Sequence, residues 1–85
     1  MKIHINLVHE TREEFRKVLA EYIVEVAKTD RIKTVKYKLY KQEGYPTNCM
    51  TFIYDSREMK DEKTIKEYGL PSHTEIYLVL SKNHN

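Results

Sequence analysis

The sequence predicts an α+β domain in which one α-helix packs on one face of a mixed sheet. Three observations carry this. Residues 2–8, 20–26, 50–54 and 74–80 alternate apolar and polar side chains with a period of two, as half-buried strands do. Residues 31–42 space their apolar side chains by three and four, as a helix with one buried stripe does. A chain of 85 residues, 40% hydrophobic, supplies one core and no more, so helix and strands must share it.

In KIHINLV (2–8), Ile3, Ile5 and Leu7 share one face and His4, Asn6 and Val8 the other. In AEYIVEV (20–26), Tyr22, Val24 and Val26 face in, and Glu21, Ile23 and Glu25 face out; a hairpin with the first strand is the natural pairing. Between them, Thr11 followed by Glu14 is a capping-box signature, and Phe15, Val18, Leu19 and Tyr22 fall at helical spacing. This predicts a helical turn within 11–19, with an extension of the strands as the rival. Asp30 is a candidate N-cap for the main helix, whose Ile32, Val35 and Leu39 face in and whose Lys33, Lys36 and Lys38 face out. Gly44 and then Pro46 end it. In MTFIY (50–54), Phe52 faces in and Ile53 out; Asp55 and Ser56 make a turn into a short edge strand at 57–59. Thr64 and Glu67 form a second capping box over one helical turn, closed by Gly69. In TEIYLVL (74–80), Ile76, Leu78 and Leu80 face in, and Glu75, Tyr77 and Val79 face out.

Composition excludes several classes. Fifteen basic residues against 13 acidic ones leave a net charge of +2, too balanced for a nucleic-acid footprint. No apolar run reaches the length of a membrane span, and Lys, His and Asn interrupt residues 1–9, so neither membrane insertion nor a signal peptide is expected. One cysteine, Cys49, cannot staple the fold, which fits a reducing cytoplasm or nucleus. His4, His9, His73 and His84 have no metal-ligand spacing, Cys49 has no nearby histidine, and no glycine-rich phosphate loop exists. No enzyme activity, metal or cofactor is expected.

Three stretches, taken together in order and spacing, resemble the ubiquitin family: KYKLYKQEGYP (36–46), FIYDSREMKDEKTIKEYG (52–69) and TEIYLVL (74–80). The helix exit at Glu43, Gly44 and Pro46 matches, as do Asp61, Thr64 and Tyr68 and the last apolar alternation. Residues 2–8 are similar to the family's first strand. The resemblance covers nearly the whole chain outside an insertion near 10–19. It implies a ubiquitin-like β-grasp over residues 1–80, with the first and last strands parallel and central, an enlarged first hairpin connection, and a polar tail at 81–85.

The resemblance also implies a site. Ile53 and Val79 fall on the two aliphatic residues of the family's recognition patch, Tyr77 on its histidine, and Arg57 and Ser56 on its basic and glycine neighbours. Val8 would lie beside them. Outward Ile and Val on a small charged domain suit a docking face. Thr51 and Ser81 replace flanking arginines of the family, which weakens charge steering. The chain after Leu80 reads SKNHN, without the Gly-Gly of conjugated members, and Arg57 and Ser72 replace two chain-forming lysines. The expectation is a non-conjugated interaction module docking to ubiquitin-binding partners of the ubiquitin–proteasome system, as a monomer or as one domain of a larger protein. Two rivals are a scaffold subunit binding through Phe15, Arg12 and Arg16 of the insertion, and a conjugated modifier with a truncated tail. The lysine-rich helix raises binding to acidic switch surfaces, but outward Glu21 and Glu25 on the second strand oppose it.

Overall fold

A computed structural model describes residues 1–9 and 17–81. Its strands are β1 (Lys2–Val8), β2 (Val18–Glu25), β3 (Met50–Tyr54), β4 (Arg57–Glu58) and β5 (Glu75–Leu80), and its helices α1 (Ile32–Glu43) and α2 (Ile65–Tyr68). A 3₁₀ turn at Thr47–Cys49 leads into β3. The strands form one sheet in the order β2-β1-β5-β3-β4. β1 and β5 are parallel and every other pair is antiparallel. This is the mixed β-grasp sheet.

The core lies between α1 and one sheet face. Ile3, Ile5, Val24, Phe52, Ile76 and Leu78 from the strands meet Ile32, Val35 and Leu39 from the helix, all at most 2% exposed. The structure thus turns inward these nine residues, each of which the period-two or three-four pattern assigns to the core.

Asp55 and Ser56 connect β3 and β4 with φ of 53° and 62°. Two consecutive left-handed residues are the backbone of a type I′ hairpin turn, made here without glycine. At α2 the expected capping box is complete: the Glu67 N–H donates to Thr64 Oγ1 at 3.1 Å and the Thr64 N–H to Glu67 Oε1 at 3.3 Å.

Three local expectations are corrected. First, Val18 and Leu19 are strand, not helical turn: the β1–β2 ladder runs on through Leu7↔Ala20 and, past a bulge, Val8↔Val18. Ladder hydrogen bonds outweigh the helical spacing there. Thr11 and Glu14 lie outside the described residues.

Second, Asp30 does not cap α1. The N-cap is Arg31, with no side-chain cap, and the first N–H groups donate to backbone carbonyls instead, Ile32 to Lys63 at 2.9 Å and Lys33 to Asp61 at 3.1 Å. The Asp30 carboxylate accepts from the Ala27 N–H at 2.9 Å and from Lys38 Nζ at 2.7 Å. Burial pushes the Asp30 pKa up, but the Lys38 hydrogen bond, the Ala27 N–H and the Lys38 charge outweigh it and hold the carboxyl below its ordinary 3.8. A depressed folded pKa adds stability above the unfolded value, and that contribution disappears as pH falls through the folded one. Asp30→Asn is therefore expected to cost about 1–2 kcal/mol at neutral pH. Urea melts at pH 7 and pH 3 should show the gap to wild type narrowing at the acid end.

Third, Lys36 is buried, 8% exposed, rather than outward. Its ammonium reaches Asp61 at 2.6 Å and lies 5.8 Å from the centre of the Phe52 ring. A long aliphatic stem covers the core while the charged end is paired at the rim. Two further α1 side chains reach the edge strand: Lys38 Nζ donates to the Glu25 carbonyl at 3.0 Å and Gln42 Nε2 to the Ile23 carbonyl at 3.4 Å.

Candidate functional site: the helix-free sheet face

Strand register places the expected residues on the face opposite α1, in cross-strand rows. One row runs Glu21–Asn6–Tyr77–Ile53–Glu58 across all five strands. The next holds Val8, Val79 and Thr51. Arg57 and Ser56 sit at the adjoining hairpin, both exposed. Ile53, Tyr77, Val79 and Val8 are thus neighbours.

Their access to solvent is unequal. Tyr77 is 41% exposed and Ile53 half-buried, but Val79 is 8% and Val8 2% exposed. This corrects the expectation that both valines are offered to water. Alternation fixes which way a side chain points; neighbouring side chains fix how much water it meets. Val79 stands between Val8 and Thr51 in its row, and cross-strand neighbours of this kind pack against one another. Asn6, between Val8 and His4 on the same face, is 6% exposed, and its Oδ1 has no hydrogen-bond partner. Phe15, Arg12 and Arg16 lie outside the described residues. Next to them in sequence, Val18 and Leu19 are 48% and 44% exposed, and Ile23 on the same strand 49%.

The helix side of the molecule has a surface cleft of about 520 Å³ lined by Lys33, Lys36, Tyr37, Asn48 and Asp61. Its Lys36 and Asp61 are paired with each other. Cys49 is buried, and its Sγ donates to Asn48 Oδ1 at 3.7 Å. Among the described residues no three His, Cys, Asp or Glu side chains converge to hold a metal ion, and no helix is long and apolar enough to cross a membrane.

The structure also brings together pairs that sequence separation hides. Tyr22 and Tyr45 share a hydroxyl–hydroxyl hydrogen bond at 2.5 Å. That bond, with burial and nearby Glu43, raises the Tyr22 pKa to about 12. His4 and His73 meet ring to ring. The parallel β1–β5 pairing is the signal that could have found the second pair, since it sets the turn before β5 beside the start of β1.

A five-stranded mixed sheet packed on one main helix, with its first and last strands parallel and central, defines a ubiquitin-like domain. The comparisons with known proteins agree. The sequence profile of the ubiquitin family matches residues 13–83, and the chain belongs to that family. It is 28% identical over 61 residues to the ubiquitin-like protein NEDD8 of Dictyostelium discoideum, covering 72% of this chain and 79% of that protein. It is 29% identical over 58 residues to the NEDD8-like protein RUB3 of Arabidopsis thaliana, covering 68% and 74%. It is 26% identical over 61 residues to ubiquitin-like protein 1 of Schizosaccharomyces pombe, covering 72% and 78%.

Proposed function

We propose that this chain is a non-enzymatic interaction module that docks non-covalently, through the helix-free sheet face, to proteins with ubiquitin-binding surfaces in the ubiquitin–proteasome system of the cytoplasm or nucleus. The observation that carries the reading is the side-by-side register of Ile53 and Tyr77, with Arg57 and Ser56 at the rim, in a member of the ubiquitin family. Ile53 is the apolar anchor. Tyr77 and Arg57 are rim contacts, and Val79 and Val8 support the patch from below rather than meeting the partner. Completing the burial of one aliphatic side chain contributes up to about 1.5–3 kcal/mol, which suits weak, reversible docking.

The test is a titration of the ¹⁵N-labelled chain with an amphipathic ubiquitin-interacting helix. Amide shifts should centre on Ile53 and Tyr77, and Ile53→Ala should weaken binding about tenfold or more. A spectrum that stays still throughout would defeat the proposal. A second reading has its own support: exposed Val18, Leu19 and Ile23 on β2 suit a scaffold contact through the insertion near 10–19. In that case the shifts would cluster at 17–23 and Ile53→Ala would leave them unchanged.

A further inference from the structure

His4 and His73 are 69 residues apart in sequence, yet His4 Nε2 lies 3.1 Å from His73 Nδ1. The docking face described above does not use them. We propose that they form the two-nitrogen core of a divalent transition-metal site, of the zinc or copper class.

The separation of the two nitrogens fits. With metal–nitrogen bonds of about 2.0–2.1 Å, a 3.1 Å span subtends roughly 95–102° at a shared ion, between the square-planar and tetrahedral angles. The tilt of the rings, 53° with centroids 5.3 Å apart, keeps them from stacking face to face.

The backbone holds both residues. His4 sits in β1 between two paired strands, and its N–H donates to the Thr74 carbonyl at 2.8 Å. The His73 N–H donates to the Lys2 carbonyl at 2.7 Å, and Thr74 Oγ1 donates to the Pro71 carbonyl at 2.6 Å. His73 is held at φ 64°, a left-handed conformation that costs a residue with a Cβ something to maintain.

Carboxylates stand on both sides. Glu21 Oε1 lies 3.6 Å from His4 Nδ1, the ring nitrogen turned away from His73. A carboxylate there favours the tautomer protonated at Nδ1, which frees the Nε2 lone pair for a metal. Glu75 is directly opposite His4 in the parallel register, on the same face. Without metal, one proton lies between the facing nitrogens. On binding, both inner lone pairs face the ion and each ring carries its proton on its outer nitrogen. Two protein nitrogens hold the ion and water completes its coordination.

The experiment is a titration of the untagged chain with Zn²⁺ alone, read by imidazole ¹⁵N resonances, and with Cu²⁺ alone, read by electron paramagnetic resonance. His4 Nε2 and His73 Nδ1 should shift together with one-to-one saturation, and the copper spectrum should show two equatorial nitrogens. His73→Asn tolerates the left-handed backbone and should weaken binding at least tenfold, with the amide spectrum otherwise unchanged; His73→Gly is the substitute if that variant unfolds. Glu21→Gln, which acts only through His4, should weaken binding about tenfold while keeping both nitrogens in the copper spectrum. Shifts confined to His9 or His84, or an affinity that survives both His73 variants, would overturn the site and leave the docking proposal untouched.

Discussion

Phe52→Ala is expected to destabilise the chain by about 3–5 kcal/mol. Phe52 is fully buried in β3, opposite Leu78 of β5, and faces the helix. The substitution leaves a ring-sized cavity and removes the surface over which the Lys36 ammonium lies. Native domains have only roughly 5–15 kcal/mol in total, so the substitution removes a large share of the stability. Urea unfolding should show a large fall in midpoint with little change in slope. A midpoint within 1 M of wild type would mean that Phe52 does not fill the core as described.

The second large effect separates two residues that the resemblance treats alike. Val79→Asp is expected to cost about 3 kcal/mol, because Val79 is buried beside Val8 and Thr51 and a carboxylate there is taken out of water. Ile53→Asp, at a half-buried position, should cost about 1 kcal/mol while removing the proposed docking. Paired urea melts and helix titrations give both readouts. Equal stability of the two variants would return Val79 to the solvent-facing patch.

Much of the fold was legible because periodicity reports direction directly. Alternation assigned Ile3, Ile5, Phe52 and Leu78 to the core and Ile53 and Tyr77 to the far face. The Thr64–Glu67 box was legible because both partners are local. Strand order was not: parallel pairing of β1 with β5 leaves no local trace, and the family resemblance supplied it. Nor were features set by distant groups. Asp30 looks like a cap in isolation, but Lys38 and the Ala27 N–H claim its carboxylate, and carbonyls of Asp61 and Lys63 start the helix. Lys36 falls on the helix's polar pattern, yet Asp61 draws it over the core rim. The burial of Val8 and Val79 depends on what surrounds them, which a period of two does not encode. The histidine pair needs the parallel pairing and a left-handed residue at position 73 together.

The reach of α1 to the border of the sheet has a consequence for solubility. β2 is an outer strand of eight residues with no proline, and such a strand readily templates a foreign one. Met1 and Val26 exchange backbone hydrogen bonds across the hairpin, so the Ile23 and Glu25 carbonyls turn outward. Those are the two acceptors already occupied by Gln42 and Lys38. The helix thereby acts as a selvedge: it denies an incoming chain the acceptors at one end of the strand, and any sheet-to-sheet growth must begin nearer Leu19 and Glu21.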